Sequence, residues 1–240
     1  MIIDKNTDTI SGIDFREGHV VLIDKQTDWT SFDVVNKIRY MIKKTCSLPK
    51  IKVGHGGTLD PQATGLLILG IGRETKNLSA YQNESKEYIA DISFGAETPS
   101  YDSETEPCAT YSTENISDET IQHCLDTQFS GEIMQTPPIY SAKIINGVRA
   151  YKSAREGDVV TMTAVSVTIY EHELIHYNEN TARIRFVCSK GTYIRSLAYD
   201  IGKALNSGAF LSSLRRTKSG GFDIQQCIAI KDFEQLLHTL

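Results

Sequence analysis

The chain has 240 residues, 40% of them hydrophobic and 23% charged, with a formal net charge of −5 from 25 Lys+Arg against 30 Asp+Glu. That length and mix support a large buried core and exclude a wholly disordered chain, a collagen or a coiled coil. The acidic balance, taken as an average, argues against a nucleic-acid partner. The apolar run from Gly65 to Gly72 is too short to cross a bilayer, and MIIDKNTDTISGIDF lacks the basic start and apolar stretch of a signal peptide. Cys46, Cys108, Cys124, Cys188 and Cys227 include no close pair. They read as reduced thiols of a cytoplasmic protein without a zinc site or disulfide framework.

In chain order, residues 1–18 are polar without a clear period and read as an N-terminal extension. HVVLID, His19 to Asp24, predicts a short buried strand. Thr30 or Ser31 is placed to cap a helix whose Val34, Val35, Ile38, Met41 and Ile42 share one face. A basic tail and Pro49 end that helix. The Gly-rich turn VGHGGTLDPQATG follows, and then the apolar strand LLILGIG. Tyr88, Ala90, Ile92 and Phe94 alternate with polar residues and predict a half-buried strand. Ser117 starts a helix that stops near Gly131. Ala164 to Tyr170 and Arg183 to Cys188 alternate again and predict strands. Ile194, Leu197, Ala198, Ile201 and Leu205 recur at helical spacing, with Gly208 placed as C-cap. Phe233, Leu236 and Leu237 predict a last short helix. Strands and helices mix without a strict βαβ rhythm, which predicts an α+β fold with a mixed, largely antiparallel central sheet and flanking helices.

Charge is unevenly distributed along the chain. Glu97 to Glu132 holds nine acids and no Lys or Arg, whereas Arg183 to Lys218 holds eight bases against Asp200 alone. Asp33 to Lys52 holds six bases and one acid. Such segregation predicts a surface with acidic and basic parts, on which the net charge is a poor guide to partners.

The densest chemical signal is Gly54-His55-Gly56-Gly57-Thr58-Leu59-Asp60-Pro61-Gln62-Ala63-Thr64-Gly65. Four glycines let the backbone turn sharply and approach a ligand closely. Pro61 stiffens the chain behind Asp60. A carboxylate on a rigid turn suits a nucleophile or general base. The same pattern also fits an Asx-type turn in which Asp60 caps its own backbone, and spacing alone favours that turn. His55 and Asp60 lack a third ligand nearby, so a metal site is disfavoured, and no Gly-Lys-Ser/Thr supports a phosphate loop.

GHGGTLDPQATGLL closely resembles the GHTGTLDPxATGxL signature of the TruB-type tRNA pseudouridine synthases. Five further blocks resemble that family in the same order. They are HVVLIDKQTDWTSFDVVNKIR, GRETKNLSAYQNESKEY, QTPPIYSAKIINGVRAYKSARE, CSKGTYIRSLAYDIG and LRRTKSGGF. The colinear set, from about residue 19 to 222, is more specific than any single motif.

The resemblance implies a pseudouridine synthase fold over 19–240 that isomerises uridine to pseudouridine at position 55 of the tRNA T-loop. It implies Asp60 as the nucleophile and Arg195 as the guanidinium that keeps it charged. Tyr88 would stack on the target base and move a proton from the sugar. Tyr193 and Leu214 would wall the pocket against water. His55 would fill the space left when the base flips out. Lys76, Lys86, Arg149, Arg215 and Arg216 would touch phosphates or the pocket edge.

The implied partner is the tRNA T-stem-loop, and no metal or cofactor is needed. Only about 18 residues follow Phe222, too few for the C-terminal RNA-binding module of many relatives. This favours a stand-alone enzyme without guide RNA; no membrane partner is expected, and the protein is expected to be a monomer. The alternative is a catalytically weak RNA-binding or tRNA-folding chaperone of the same fold. Gly56 stands where the family usually has Thr, Gln26 where it has Pro, and Trp29-Thr30 replaces its usual pair.

Overall fold

The structure, a computed structural model, describes residues 1–141, 144–145, 148–149 and 162–240, with backbone alone at 144–145 and 148–149. In chain order the strands are β1 (Ile2–Ile3), β2 (His19–Lys25), β3 (Val53–His55), β4 (Thr64–Ile71), β5 (Lys86–Phe94), β6 (Ala96–Glu97) and β7 (Ala109–Thr110). They continue with β8 (Gly131–Gln135), β9 (Ile144–Ile145), β10 (Val148–Arg149), β11 (Val165–Asn178), β12 (Thr181–Cys188), β13 (Ala209–Ser219) and β14 (Phe222–Asp223). The described helices are α1 (Ser31–Thr45), α2 (Leu78–Asn83), α3 (Asp118–Gln128), α4 (Ile194–Ala204) and α5 (Ile230–Leu237). The chain divides into one unit of Met1–Tyr88 with Arg215–Leu240 and a second of Ile89–Leu214.

In the first unit β4 is central. It runs antiparallel to β2 from His19↔Ile71 to Lys25↔Gly65 and antiparallel to β3 from Val53↔Ile71. It meets β13 in parallel at Arg215↔Thr64 and Arg216↔Gly65. Both faces of β2 and β4 are covered, and strands covered on both faces show unbroken apolar runs in place of alternation. One face packs Val21, Ile23, Leu67 and Leu69 against Val34, Ile38 and Ile42 of α1 and Phe233 and Leu237 of α5. The other gathers Val20, Leu22, Leu66 and Ile68 under Tyr81 and Phe222. Residues 1–18 belong to the first face: β1 pairs parallel with β2, and Ile3, Ile10 and Phe15 are buried in the core. Their apolar side chains are too widely spaced to show a period.

Helix α1 starts where the sequence places it, and the structure decides between its two capping candidates. Thr30 Oγ1 accepts from Asp33 N at 3.0 Å while Asp33 Oδ2 accepts from Thr30 N at 2.9 Å, a reciprocal capping box. Ser31 instead faces the Gly-rich turn. Its Oγ donates to Leu59 O at 3.0 Å and accepts from Leu59 N at 2.8 Å.

In the second unit β11 is antiparallel to β12 and to β8, and β12 neighbours β5. The alternation read in β5 is seen as burial of Tyr88, Ala90, Ile92 and Phe94 between half-exposed residues. Helix α3 is capped by Ser117, whose Oγ accepts from Thr120 N at 3.3 Å. Helices α3 and α4 bury Ile121, Cys124 and Leu125 and Leu197, Ala198 and Ile201. The result is α+β with a mixed, largely antiparallel sheet, in which β1 pairs with β2 and β4 with β13 in parallel.

Candidate active site

The Gly-rich turn between β3 and β4 is held both by its own backbone and by side chains that reach its backbone groups. Gly56 N donates to Ile68 O at 2.8 Å, and Ala63 N closes a turn onto Asp60 O at 3.1 Å. Two cations secure the rest. Arg216, 2% exposed, donates to Leu66 O at 2.8 Å, Gly57 O at 3.1 Å and Thr58 O at 3.3 Å. Lys25, fully buried, donates to Trp29 O at 2.6 Å, Gln26 O at 2.9 Å and Pro61 O at 3.1 Å. Burial lowers the Lys25 ammonium to about 8, opposed by the nearby Asp60 carboxylate. Asp60 is thus carried on a turn whose carbonyls before and after it are tied to buried cations, and its half-buried carboxylate lies near the Lys25 ammonium.

Two glycines of the turn are there for close approach. A Cβ on Gly65, whose φ is +102°, would lie 2.3 Å from Arg216 O, so a side chain there would break the junction of β4 with β13. A Cβ on Gly56 would lie 2.8 Å from Tyr81 Cβ. This gives the departure at Gly56 a local reason: Tyr81 of α2 occupies the space where the family's usual Thr would project.

His55 ends β3. Burial lowers its pKa, with Arg216 acting in the same direction, so the imidazole is neutral near pH 7. Its Nδ1 is buried with no hydrogen-bond partner among the described residues. Tyr88 is buried in β5. His55, Asp60 and Tyr88 all lie in the first unit.

Tyr193, Arg195 and Leu214 lie in the second. Gln135, fully buried at the end of β8, clamps the backbone ahead of α4. Its Oε1 accepts from Tyr193 N at 2.8 Å and its Nε2 donates to Tyr193 O at 3.1 Å. Arg195 is 5% exposed and Asp102 6%, and Arg195 Nη1 lies 3.4 Å from Asp102 Oδ2. Arg195 also donates to Ser100 O at 3.3 Å and Tyr140 O at 3.0 Å. Asp102 is oriented in turn by Ser100 Oγ at 2.6 Å and Glu104 N at 3.0 Å. One residue before it, Tyr101 has a φ of +63° and stacks on Tyr199 of α4 with ring centroids 4.1 Å apart. A bulky residue held in the left-handed region costs about 1–3 kcal/mol and persists only where its surroundings over-determine it.

Sequence reasoning missed Asp102, Gln135 and Lys25. Asp102 sits inside an acidic stretch that reads as surface charge. Gln135 stands at the edge of the block QTPPIYSAKIINGVRAYKSARE, much of which lies outside the described residues. Lys25 carries a signal of its own, a charged residue closing an apolar strand.

The expected phosphate contacts divide. Lys76 is exposed. Lys86, 7% exposed, turns inward and donates to the carbonyls of Glu84, Gln82 and Tyr81 at 2.6, 2.9 and 3.0 Å. Arg216 is internal as described, and Arg215 pairs with Asp24 at 2.7 Å. The side chain of Arg149 lies outside the described residues. Among the described residues no cluster of His, Cys, Asp or Glu is arranged to hold a metal, and no helix is long and apolar enough to cross a membrane.

The profile described as TruB family pseudouridylate synthase (N terminal domain) matches residues 43–194, and that of the tRNA pseudouridylate synthase B C-terminal domain matches 195–240. The sequence is 49% identical over 225 residues to tRNA pseudouridine synthase B of Phocaeicola vulgatus, covering 94% of this chain and 95% of that one. It is also 49% identical over 225 residues to tRNA pseudouridine synthase B of Flavobacterium johnsoniae, covering 93% and 98%. Among solved structures it is similar to a chain of a Cbf5-Nop10-Gar1 complex, with a TM-score of 0.68 and 28% identity. That match covers 98% of this chain but only 62% of the other, so this chain spans less than two thirds of that protein. Profiles matched on both parts of the chain, and relatives about half identical along nearly all of it, place it in the TruB family of pseudouridylate synthases.

Proposed function

We propose that the protein isomerises uridine to pseudouridine at position 55, in the T-loop of tRNA, with Asp60 as the nucleophile. The observation that carries this reading is 49% identity along 94% of the chain to a tRNA pseudouridine synthase B. The anchored turn that presents Asp60 supports it. Substrate and product are isomers. The bond from the sugar to N1 breaks, the base turns, and a bond from C5 to the sugar forms. C5 loses a proton and N1 gains one, so no oxidant or group donor enters.

In this reading Asp60 attacks the substrate and later departs, which suits a weakly basic carboxylate. Arg195 favours the ionised form of that carboxylate, and Tyr88 stacks on the flipped base. Tyr193 and Leu214 exclude water from the detached sugar. Neutral His55 fills the gap in the loop at little desolvation cost. The protein works as a cytoplasmic monomer without guide RNA, metal or cofactor.

The test is incubation with unmodified tRNA followed by mapping of pseudouridine. Wild type is expected to modify position 55. Asp60→Asn is expected to abolish product while binding tRNA with nearly unchanged affinity, because phosphate contacts supply most of it. His55→Ala is expected to slow the reaction without abolishing it. Full product from Asp60→Asn would sink the assignment of Asp60 as nucleophile, whereas no product from wild type would leave the chaperone reading for the fold.

A further inference from the structure

The longest basic stretch of the sequence, Arg183 to Lys218, is the natural first choice for an RNA-facing surface. In the structure its cations are largely engaged. Arg183 pairs with Asp91 at 2.7 Å, Arg185 with Glu171 and Glu173 at 2.8 and 3.0 Å, and Lys203 with Glu97 at 3.2 Å. Arg195 faces Asp102, Arg215 faces Asp24, and Lys218 lies 3.4 Å from Glu87. A cation matched to a carboxylate of its own unit has little net field to offer a polyanion.

The shorter basic stretch behaves differently. Two adjoining grooves of the first unit, of about 400 and 460 Å³, share Lys50, Ile51, Lys52 and Thr75 as lining residues. Arg16, Arg73 and Lys76 line one, Arg39 and Lys43 the other, and no carboxylate lines either. Lys43, Lys50, Lys52, Arg73 and Lys76 are exposed and have no ion pair among the described residues. Arg16 is held by Asp14 at 2.7 Å. One groove reaches Val53 and Gly54, the strand that delivers His55.

We infer that this cleft is the phosphate-binding track of the protein, taking the backbone of the RNA whose target base is presented at the Gly-rich turn. The inference rests on the reading proposed above and adds Arg73, Lys43, Lys50 and Lys52 to the RNA surface. Lysines without partners act as point charges on phosphates and read no sequence. The continuity with Val53 and Gly54 lets a strand bound at the turn run on into the cleft. Counter-ions released from that strand make binding steeply salt-dependent.

The experiment measures the Kd for unmodified tRNA between 50 and 200 mM salt for three proteins. These are wild type, the triple variant Lys43→Gln/Lys50→Gln/Arg73→Gln, and a control, Arg183→Gln/Arg185→Gln, that removes cations from the engaged stretch. Thermal melts confirm that each is folded. The triple variant is expected to weaken binding at least about tenfold and to lower the slope of log K against log salt by roughly 2–3, near 0.9 for each phosphate that is no longer neutralised. The control is expected to keep the wild-type slope. An unchanged slope in the triple variant, or an equal drop in the control, overturns the inference. Pseudouridine formation by the same wild-type preparation is scored separately. No product there removes the functional reading, whereas the Kd series decides the cleft.

Discussion

Arg216 shows how one side chain can be read two ways. In the sequence it is the second of two arginines in LRRTKSGGF, and the family resemblance casts it as a contact at the pocket edge. In the structure it is buried and donates to the carbonyls of Leu66, Gly57 and Thr58. The planar guanidinium meets these three carbonyls with three different nitrogens, Nε, Nη1 and Nη2, in one rigid fork, whereas a lysine at this position would have a single nitrogen to offer them. Arg216→Met should cost about 2–3 kcal/mol in urea unfolding at pH 7, because it leaves buried carbonyls unpaired. Arg216→Lys should recover only part of that loss. Equal stability of all three proteins would show that the turn does not depend on this cation.

Helix α4 collects several functions on one element. Arg195 and Tyr199 are one turn apart, and the segment that supplies Asp102 to the first supplies Tyr101 to the second. Residues four apart share a helix face. That spacing makes a two-point attachment possible. The same helix carries Asp200, whose pKa burial raises to about 6. The folded state therefore holds a proton that the unfolded carboxyl, near 3.8, has already lost. Stability falls as pH rises between those values, and the penalty is complete above about 6. Asp200→Asn should therefore stabilise the protein by about 1–3 kcal/mol at pH 7.5 and change little near pH 3.5. Urea titrations at the two pH values check this, and an equal effect at both would point to a cause other than ionisation.

At the scale of the whole molecule, the first eighteen residues are the part whose place is least evident from composition. They bring Ile3, Ile10 and Phe15 into the core of the first unit, and β1 lies beside β2. Thr239 Oγ1 accepts from Ile10 N at 3.0 Å, which ties the two ends of the chain together. Burying each such side chain contributes about 1.5–3 kcal/mol, so the three together rival the 5–15 kcal/mol net stability of an ordinary domain. A protein starting at His19 should be largely unfolded at 37 °C by circular dichroism, and a cooperative wild-type-like melt would refute this.

Charge is the other whole-molecule property that folding rewrote. Glu97 and Asp102 of the acidic stretch pair with Lys203 and Arg195 of the basic one. Part of the segregation seen along the chain is thus cancelled inside the second unit. Among the described residues, Lys43, Lys50, Lys52, Arg73 and Lys76, which line the cleft of the first unit, have no ion pair.

By itself the sequence determined the types of the clearly patterned elements and much of the candidate site, while α2, β8 and β13 carried no pattern that was read. Periodicity marked the buried face of α1, the alternation of β5 and the face of α4, because apolar spacing is local and its readout is burial. The TruB resemblance rested on colinear motifs, and the short turn around Asp60 was visible because glycine and proline act through their own backbone. Only the tertiary structure decided which polar residues are internal. Lys25, Lys86 and Arg216 look like surface cations in one dimension, yet each ends on backbone carbonyls brought to it by turns or by other strands. Asp102 and Gln135 belong with them, since their partners lie 93 and 58 positions away along the chain. Long-range pairing leaves no periodic trace, and a charge reports its type in the sequence but its partner only in the fold.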